Sequence, residues 1–378
     1  MVDARQLLRE LIALPSVNPA FLPALHPCAG EQRVAEFLAA VGARAGLDVE
    51  MREVAAGRPN VLLRLAPAGP IRRRILLLAH TDTVGVEPFS ERIFDPVATP
   101  GKIHGRGACD TKGCVAAMVA ALAGLAERGP RPAHTEIIFA GVIDEENGQH
   151  GSRALAAEGF RADLAVVGEP TRLHVVTAHK GNLWLRVNTR GQAAHGSRPE
   201  LGRNAIRLMA RIVELLEGEY AQSLVCRRRP LLRAPTVNVG AIQGGVQANI
   251  VPAHCEILLD RRTLPGETRA SVLRELKALL RDHGLQATFT DIKDTACHPL
   301  ETDPEHPLVR QFLRATRCPG PCGVDYYCDA SVLAHAGTPS LVFGPGDIAQ
   351  AHTADEWISE RSLESGVRAL ARFLDTLA

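Results

Sequence analysis

The sequence has no long apolar run, no excess of charge of either sign, and no cysteine spacing that would hold a metal by itself. No stretch approaches the roughly 20 apolar residues of a membrane span, which argues against a membrane partner. Formal net charge is +1 over 378 residues, and the basic runs Arg72 to Arg74 and Arg227 to Arg229 are short. No field of the kind that recruits nucleic acid or anionic lipid results. The N-terminal MVDARQLLRELIAL mixes charges with apolar residues at helical spacing and lacks the basic region, apolar core and cleavage site of a signal peptide. Nine cysteines are an odd number, scattered through a chain with enough apolar residues (46%) to build its own cores. A disulfide framework is therefore not expected, and a cytoplasmic location is. Cys318, Cys322 and Cys328 lack C-x2-C spacing and a fourth partner, which argues against a structural zinc there. The sequence contains neither an internal repeat nor a low-complexity segment.

What is present is an alternation of strand-like and helical patterns in a chain long enough for two domains. Up to about residue 170 the predicted strands are 47–54, 60–65, 75–79, 135–142 and 164–167, and the alanine-rich stretch 112–127 has a buried helix pattern. This predicts an α/β sheet with helices on its faces. From 179 to 290 the rhythm changes to strand 183–190, helix 204–220, strands 236–243 and 254–262, helix 267–284 and strand 287–292. That order, β-α-β-β-α-β, is the ferredoxin-like split pattern of a small two-layer domain. Helix 306–316, strand 340–343 and helix 362–377 resume the first pattern. The expected division is one discontinuous domain, 1–178 with 291–378, and an inserted domain, 179–290.

Five short patches carry acids and histidines at the ends of apolar stretches: ILLLAHTDTV (75–84), GRGACDTKG (105–113), IIFAGVIDEEN (137–147), LAVVGEP (164–170) and LVFGPGDIAQAHTADEW (341–357). Ligands of α/β proteins usually sit beyond the carboxyl ends of strands. Imidazoles and carboxylates suit a borderline divalent ion, and a pair of ions needs several, one of them bridging. His80, Asp110, Glu146, Glu169 and His352 are the candidates. Asp82, two residues beyond His80, can accept the imidazole's second N–H and fix its tautomer. The adjacent acids Asp144, Glu145 and Glu146 repel one another unless solvated or neutralised by a cation. With metal bound, Glu146 serves as ligand and Glu145 as base. Taken singly, each patch also fits a capping aspartate, a solvated turn or a loop histidine; together they favour a metal site.

In combination HTDTV, GRG-x-x-D-x-KG, DEE, GEP, DRRTLPGE (260–267) and the late histidine resemble the acetylornithine deacetylase and succinyl-diaminopimelate desuccinylase family. These are co-catalytic zinc amidohydrolases and peptidases, with aminoacylase and carboxypeptidase G relatives. The resemblance covers essentially the whole chain. It implies a mixed-sheet, zinc-peptidase-like catalytic domain with two zinc ions, for which cobalt or manganese could substitute. Asp110 would bridge the ions, His80 and Glu169 would complete one site, Glu146 and His352 the other, and Glu145 would be the general base. The inserted domain would be a lid and dimerisation domain, making the protein a homodimer. His195 within AAHGSRPELGRNA would help stabilise the oxyanion, in its own or the partner's active site, while Asn249 and Arg262 would grip the substrate's α-carboxylate. Thr111 and Cys109, flanking Asp110, depart from common family residues, and a cis bond is expected at Asp110-Thr111.

Within the family, GPGDIAQAHTADEW is most similar to the closing motif of acetylornithine deacetylases. The implied reaction is hydrolysis of an N-acyl L-amino acid, N-acetyl-L-ornithine first. A dipeptidase, a carboxypeptidase acting on a short peptide, or a desuccinylase-like deacylase is the alternative, and a non-catalytic metal-binding protein a weaker one. Asp329 or Asp325 in GVDYYCDAS could face a cationic substrate side chain.

Overall fold

The computed structural model describes residues 2–85, 90–129, 131–293 and 295–377. They form two compact units: Met1–Thr177 with Thr302–Cys322 and Cys328–Ala378, and Ala178–Glu301 with Gly323–Tyr327.

The first unit is a mixed α/β structure. Strand Asp48–Ala55 pairs antiparallel with Arg58–Leu65, which pairs antiparallel with Thr135–Val142. From there the sheet is parallel: Thr135–Val142 lies beside Arg73–His80, then Leu164–Val167, then Ser340–Val342. Register puts His80 opposite Val142, Leu78 opposite Val167, and Val342 opposite Val167. These strands thus end at nearly one level, and the residues that follow emerge from one edge of the sheet.

Side-chain alternation explains why that edge is rigid. Ile75, Leu77 and Ala79 share a core with Ile137, Phe139 and the helix Lys112–Arg128, while Leu76 and Leu78 point to the other face and are also buried. Helices Ala4–Ile12 and Glu360–Asp375 join the same core through Leu7, Leu8, Leu11, Leu370 and Phe373. Each fully buried Leu or Phe contributes roughly 1.5–3 kcal/mol. Phe312 meets Phe343 and Phe373 edge-on at 5.1 and 4.8 Å, which fixes the start of the glycine-rich loop after Val342. Three very short strands, Val97–Thr99, Lys102–His104 and Trp357–Ser359, form a separate antiparallel sheet. The helix expected over 112–127 is Lys112–Arg128, and the strands expected at 135–142 and 164–167 have those bounds.

The second unit is a four-stranded antiparallel sheet in the order Thr236–Gly244, His254–Thr263, Gly181–Arg190, Thr288–Asp291. Met209 and Ile212 of helix Ala205–Leu215 and Leu273 and Leu276 of helix Arg269–Asp282 pack on Leu185, Val187, Ile257 and Leu259. The helix expected over 204–220 is α-helical only over Ala205–Leu215; Leu216–Tyr220, which contains Gly218, is a π-turn. Among the described residues no helix is long and apolar enough to cross a membrane.

Candidate metal centre

His80 closes its strand and is 2% exposed. Its Nδ1 lies 2.9 Å from the Asp82 carbonyl and 3.4 Å from Asp82 Oδ1. Both oxygens only accept, so Nδ1 carries a proton; Nε2 lies 3.1 Å from Asp110 Oδ1, another acceptor, where a metal ion would replace a proton held on the ring. The carboxylate of Asp82 was expected to be the imidazole's partner, but its own carbonyl is nearer. The carboxylate is otherwise occupied: Oδ1 accepts the Glu145 N–H at 3.1 Å, and Oδ2 accepts the Glu146 N–H at 3.2 Å and Asn18 Nδ2 at 2.8 Å. Asp82 thereby joins the His80 strand end to the acidic loop. In Asp82→Asn an amide N–H must face one of those donors, and zinc affinity is expected to fall ~10–100-fold, as for other groups that orient ligands. Competition against a chromophoric chelator measures this; unchanged affinity would mean the loops hold themselves.

The acidic loop sorts its three carboxylates. Asp144, at φ +67° and 1% exposed, turns inward. It accepts from Asn18 Nδ2 at 2.9 Å, Arg58 Nη2 at 3.1 Å, Gly148 N at 3.0 Å and His150 Nδ1. Burial pushes its pKa up, but these donors prevail and hold it below the usual carboxylate value. Arg58 is itself clamped by buried Glu31 at 2.6 and 2.8 Å. Glu146 reaches His352 Nε2 with Oε1 at 3.2 Å and Oε2 at 3.1 Å. Glu145 is half-buried; burial, then the charge of Glu169, raise its pKa well above the usual value.

Asp110 sits in the glycine-rich loop, two residues before the helix Lys112–Arg128. Gly107 (φ +80°) could not carry a side chain, since a Cβ would lie 2.9 Å from Thr83 Cγ2. The Asp110-Thr111 peptide bond is cis. Asp110 Oδ1 faces His80 and Oδ2 faces His352 Nε2 at 3.3 Å. Two groups result whose ligand atoms lie within 4.8 Å of one another: His80, Asp110 and Glu169; and Asp110, Glu146 and His352. Asp110 belongs to both and Glu145 to neither.

The donor chemistry fits a pair of divalent cations. His80 Nε2 and a carboxylate oxygen 3.1 Å apart need positive charge between them, a proton or a metal ion. Glu169 is raised well above its usual pKa by burial and then by Asp110, and Glu146 is raised by the same causes. Asp110 and Glu146 push His352 up to about 10. The carboxylates are crowded so closely that they recruit protons in place of a cation. Imidazole and carboxylate donors suit zinc, cobalt or manganese. The nearby thiols are not donors: burial raises Cys109 and Cys114, which contact the carbonyls of Asp347 at 3.3 Å and Pro345 at 3.8 Å.

His195, Asn249 and Arg262 lie in the second unit. His195 Nδ1 takes the Ser197 N–H at 3.2 Å, so its exposed ring presents Nε2–H outward. Gly196 N–H donates to the carbonyl of Asn249 at 2.7 Å, keeping these two segments adjacent. Arg262 pairs with Asp260 Oδ2 at 3.2 Å. Of the two aspartates expected to face a substrate cation, Asp329 is buried and Asp325 is exposed but paired. Asp329 is 1% exposed and takes the Ser152 hydroxyl at 2.6 Å, while Asp325 is held by Lys180 Nζ at 2.9 Å.

Residues 76–376 match the profile of a family described as Peptidase family M20/M25/M40. The chain is 32% identical, over 95% of its length and 92% of the relative's, to an acetylornithine deacetylase of Proteus mirabilis. It is 30% identical to an acetylornithine deacetylase of Photorhabdus laumondii, over 98% and 96%. Among solved structures it is similar to aminopeptidase PepT from Bacillus cereus (TM-score 0.79, 21% identity, 100% and 99% covered). It is also similar to an M20 family metallo-carboxypeptidase, Sso-CP2, from Sulfolobus solfataricus (TM-score 0.76, 19% identity, 100% and 99% covered).

Proposed function

The chain belongs to peptidase family M20/M25/M40 and is a metal-dependent hydrolase of linear amides, and we propose that it removes the acyl group from an N-acyl L-amino acid, N-acetyl-L-ornithine first. The observation that carries the mechanism is the pair of three-donor groups sharing Asp110, with Glu145 beside them and in neither. His80, Asp110 and Glu169 would hold one divalent ion and Asp110, Glu146 and His352 the other, zinc being the expected metal. When bound, the ions supply Lewis acidity to the scissile carbonyl and acidify water.

The rest is the work of side chains. Asp82 keeps the His80 proton on Nδ1, so that Nε2 stays a donor atom. Glu145, its backbone tied to Asp82, takes a proton from water on a carboxylate oxygen and passes it to the leaving nitrogen. His195 offers Nε2–H to the developing oxyanion. Arg262, with its planar fork, and Asn249 receive the α-carboxylate. The second unit acts as a lid and as the contact of a cytoplasmic homodimer. The names of the deacetylase relatives support the substrate and a place in arginine biosynthesis.

Zinc-loaded protein should be tested against N-acetyl-L-ornithine, N-acetyl-L-methionine, N-succinyl-diaminopimelate and dipeptides. The expected result is a kcat/KM for acetylornithine at least ~10-fold above the others, the scale on which one recognised polar group discriminates. Faster cleavage of dipeptides would make the chain a peptidase with the same centre.

A further inference from the structure

We infer that the buried pair Arg106–Glu356 is a positioning clamp that sets the second cation site, the one offered by Asp110, Glu146 and His352; this rests on the two-cation function above. Arg106 Nη1 and Glu356 Oε2 are 2.7 Å apart, and both side chains are 2% exposed. A buried ion pair contributes little by itself unless its remaining lone pairs and protons are satisfied. Here they are used on the loop that carries Asp110. Glu356 Oε2 also accepts the Gly107 N–H at 2.9 Å, and Oε1 accepts the N–H groups of Cys109 at 2.8 Å and of Asp110 itself at 2.9 Å. Four donors saturate this carboxylate, so it is neither a ligand nor a base, and it acts through Asp110.

Arg106 supplies the other half. Its Nη2 donates to the Thr353 carbonyl at 3.1 Å, one residue beyond His352, and lies 3.4 Å from the Gly85 carbonyl. The clamp therefore ties the Asp110 loop to the His352 loop. His352 needs such a tie. Its side chain is 54% exposed and its backbone has φ +60°, so core packing does not orient it. His80 and Glu169, by contrast, are 2% and 4% exposed, His80 ending a sheet strand and Glu169 standing two residues beyond one. Glu356 is delivered to the loop by the short sheet in which Trp357 pairs with His104.

Loss of the clamp should therefore weaken the second ion far more than the first. In Glu356→Gln the amide N–H must face donors at one of the two oxygens. In Arg106→Lys one nitrogen replaces the fork whose Nη1 reaches Glu356 and whose Nη2 reaches the Thr353 carbonyl, and it cannot occupy both positions. Zinc is titrated calorimetrically into metal-stripped wild type and both variants, with cobalt absorption spectra and thermal melts of the metal-free proteins alongside. The expected result is two ions in wild type. In the variants the second-ion Kd should rise ~10–100-fold; the first site shares Asp110 but also rests on buried His80 and Glu169, so its Kd should rise at least ~3-fold less. Glu356→Asp, which keeps the acceptors, should recover part of the loss. An unchanged second Kd, or equal weakening of both ions with a lowered melting temperature, overturns the clamp. A single ion in wild type overturns the two-cation function beneath it. If Glu356→Gln does not fold, Arg106→Lys and Glu356→Asp decide the outcome.

Discussion

Glu145→Gln is expected to lower kcat by roughly 10²–10⁴-fold, the usual contribution of a general base, while two zinc ions remain bound. The substitution keeps the shape of the side chain and the backbone N–H that donates to Asp82 at 3.1 Å, so the loop stays in place. Glu145 is in neither ligand group, and metal content should not change. KM should move little, because the proton is transferred only as the bond breaks. Burial and the Glu169 charge hold Glu145 above its ordinary pKa of 4.5, and bound cations will draw it back down. A base must be deprotonated to act, so wild-type kcat/KM should fall at low pH as Glu145 takes up a proton, and this acid limb should vanish in the variant. Activity near wild type would assign the proton transfer elsewhere. Loss of zinc would make Glu145 a ligand.

The parts of this centre that were legible in the sequence end regular strands. His80 and Glu169 follow apolar runs whose period is local, and the acidic triplet follows Thr135–Val142 directly. Asn18, Arg58, Glu31 and Glu356 were not found. Each is one polar residue in an irregular stretch or at an element's end, and its meaning lies in contacts 27 to 250 positions away, such as Asn18 to Asp144 or Arg106 to Glu356. Glu356 left a faint trace, as the acid after His352 in HTADEW. The short sheet that carries it escaped because strands of three residues have no readable alternation. Helices His150–Ala157 and Ala330–His335 are likewise shorter than the window in which a 3.6 period emerges. The sorting of Asp144 away from the ligand groups and Glu146 into one accompanies a left-handed backbone at Asp144, which no spacing reveals.

Removing the metal should reverse the dependence of stability on pH. In the metal-stripped protein His80 lies well above its usual pKa: burial opposes, but Asp110 and Asp82 prevail. His352 stands at about 10, Glu145 and Glu169 are well raised, Glu146 is raised, and Asp329 is pushed by burial to about 6. A group whose folded pKa is raised contributes stability that is complete below its unfolded pKa and is lost as pH rises through the folded one. For Asp329 that window runs from 3.8 to about 6, and for His352 from 6.5 to about 10. Asp110 and Asp144 are lowered, so their contribution is constant above the ordinary carboxylate range and opposes nothing there. Burial lowers Lys112 to about 7 and His179 to about 4, and these two gain stability as pH rises, but the raised His80, His352, Glu145, Glu146 and Glu169 outnumber them, so with EDTA Tm should fall between pH 5 and 9. Zinc needs the same groups deprotonated, so its affinity rises with pH, and each ion at 1,000 times its Kd adds about 4 kcal/mol. The gap in Tm between zinc-loaded and stripped protein should thus be small near pH 5 and widen towards pH 8 to 9, in thermal melts run in parallel. Curves that stay parallel across this range would mean that the buried acids and the cations do not occupy the same place.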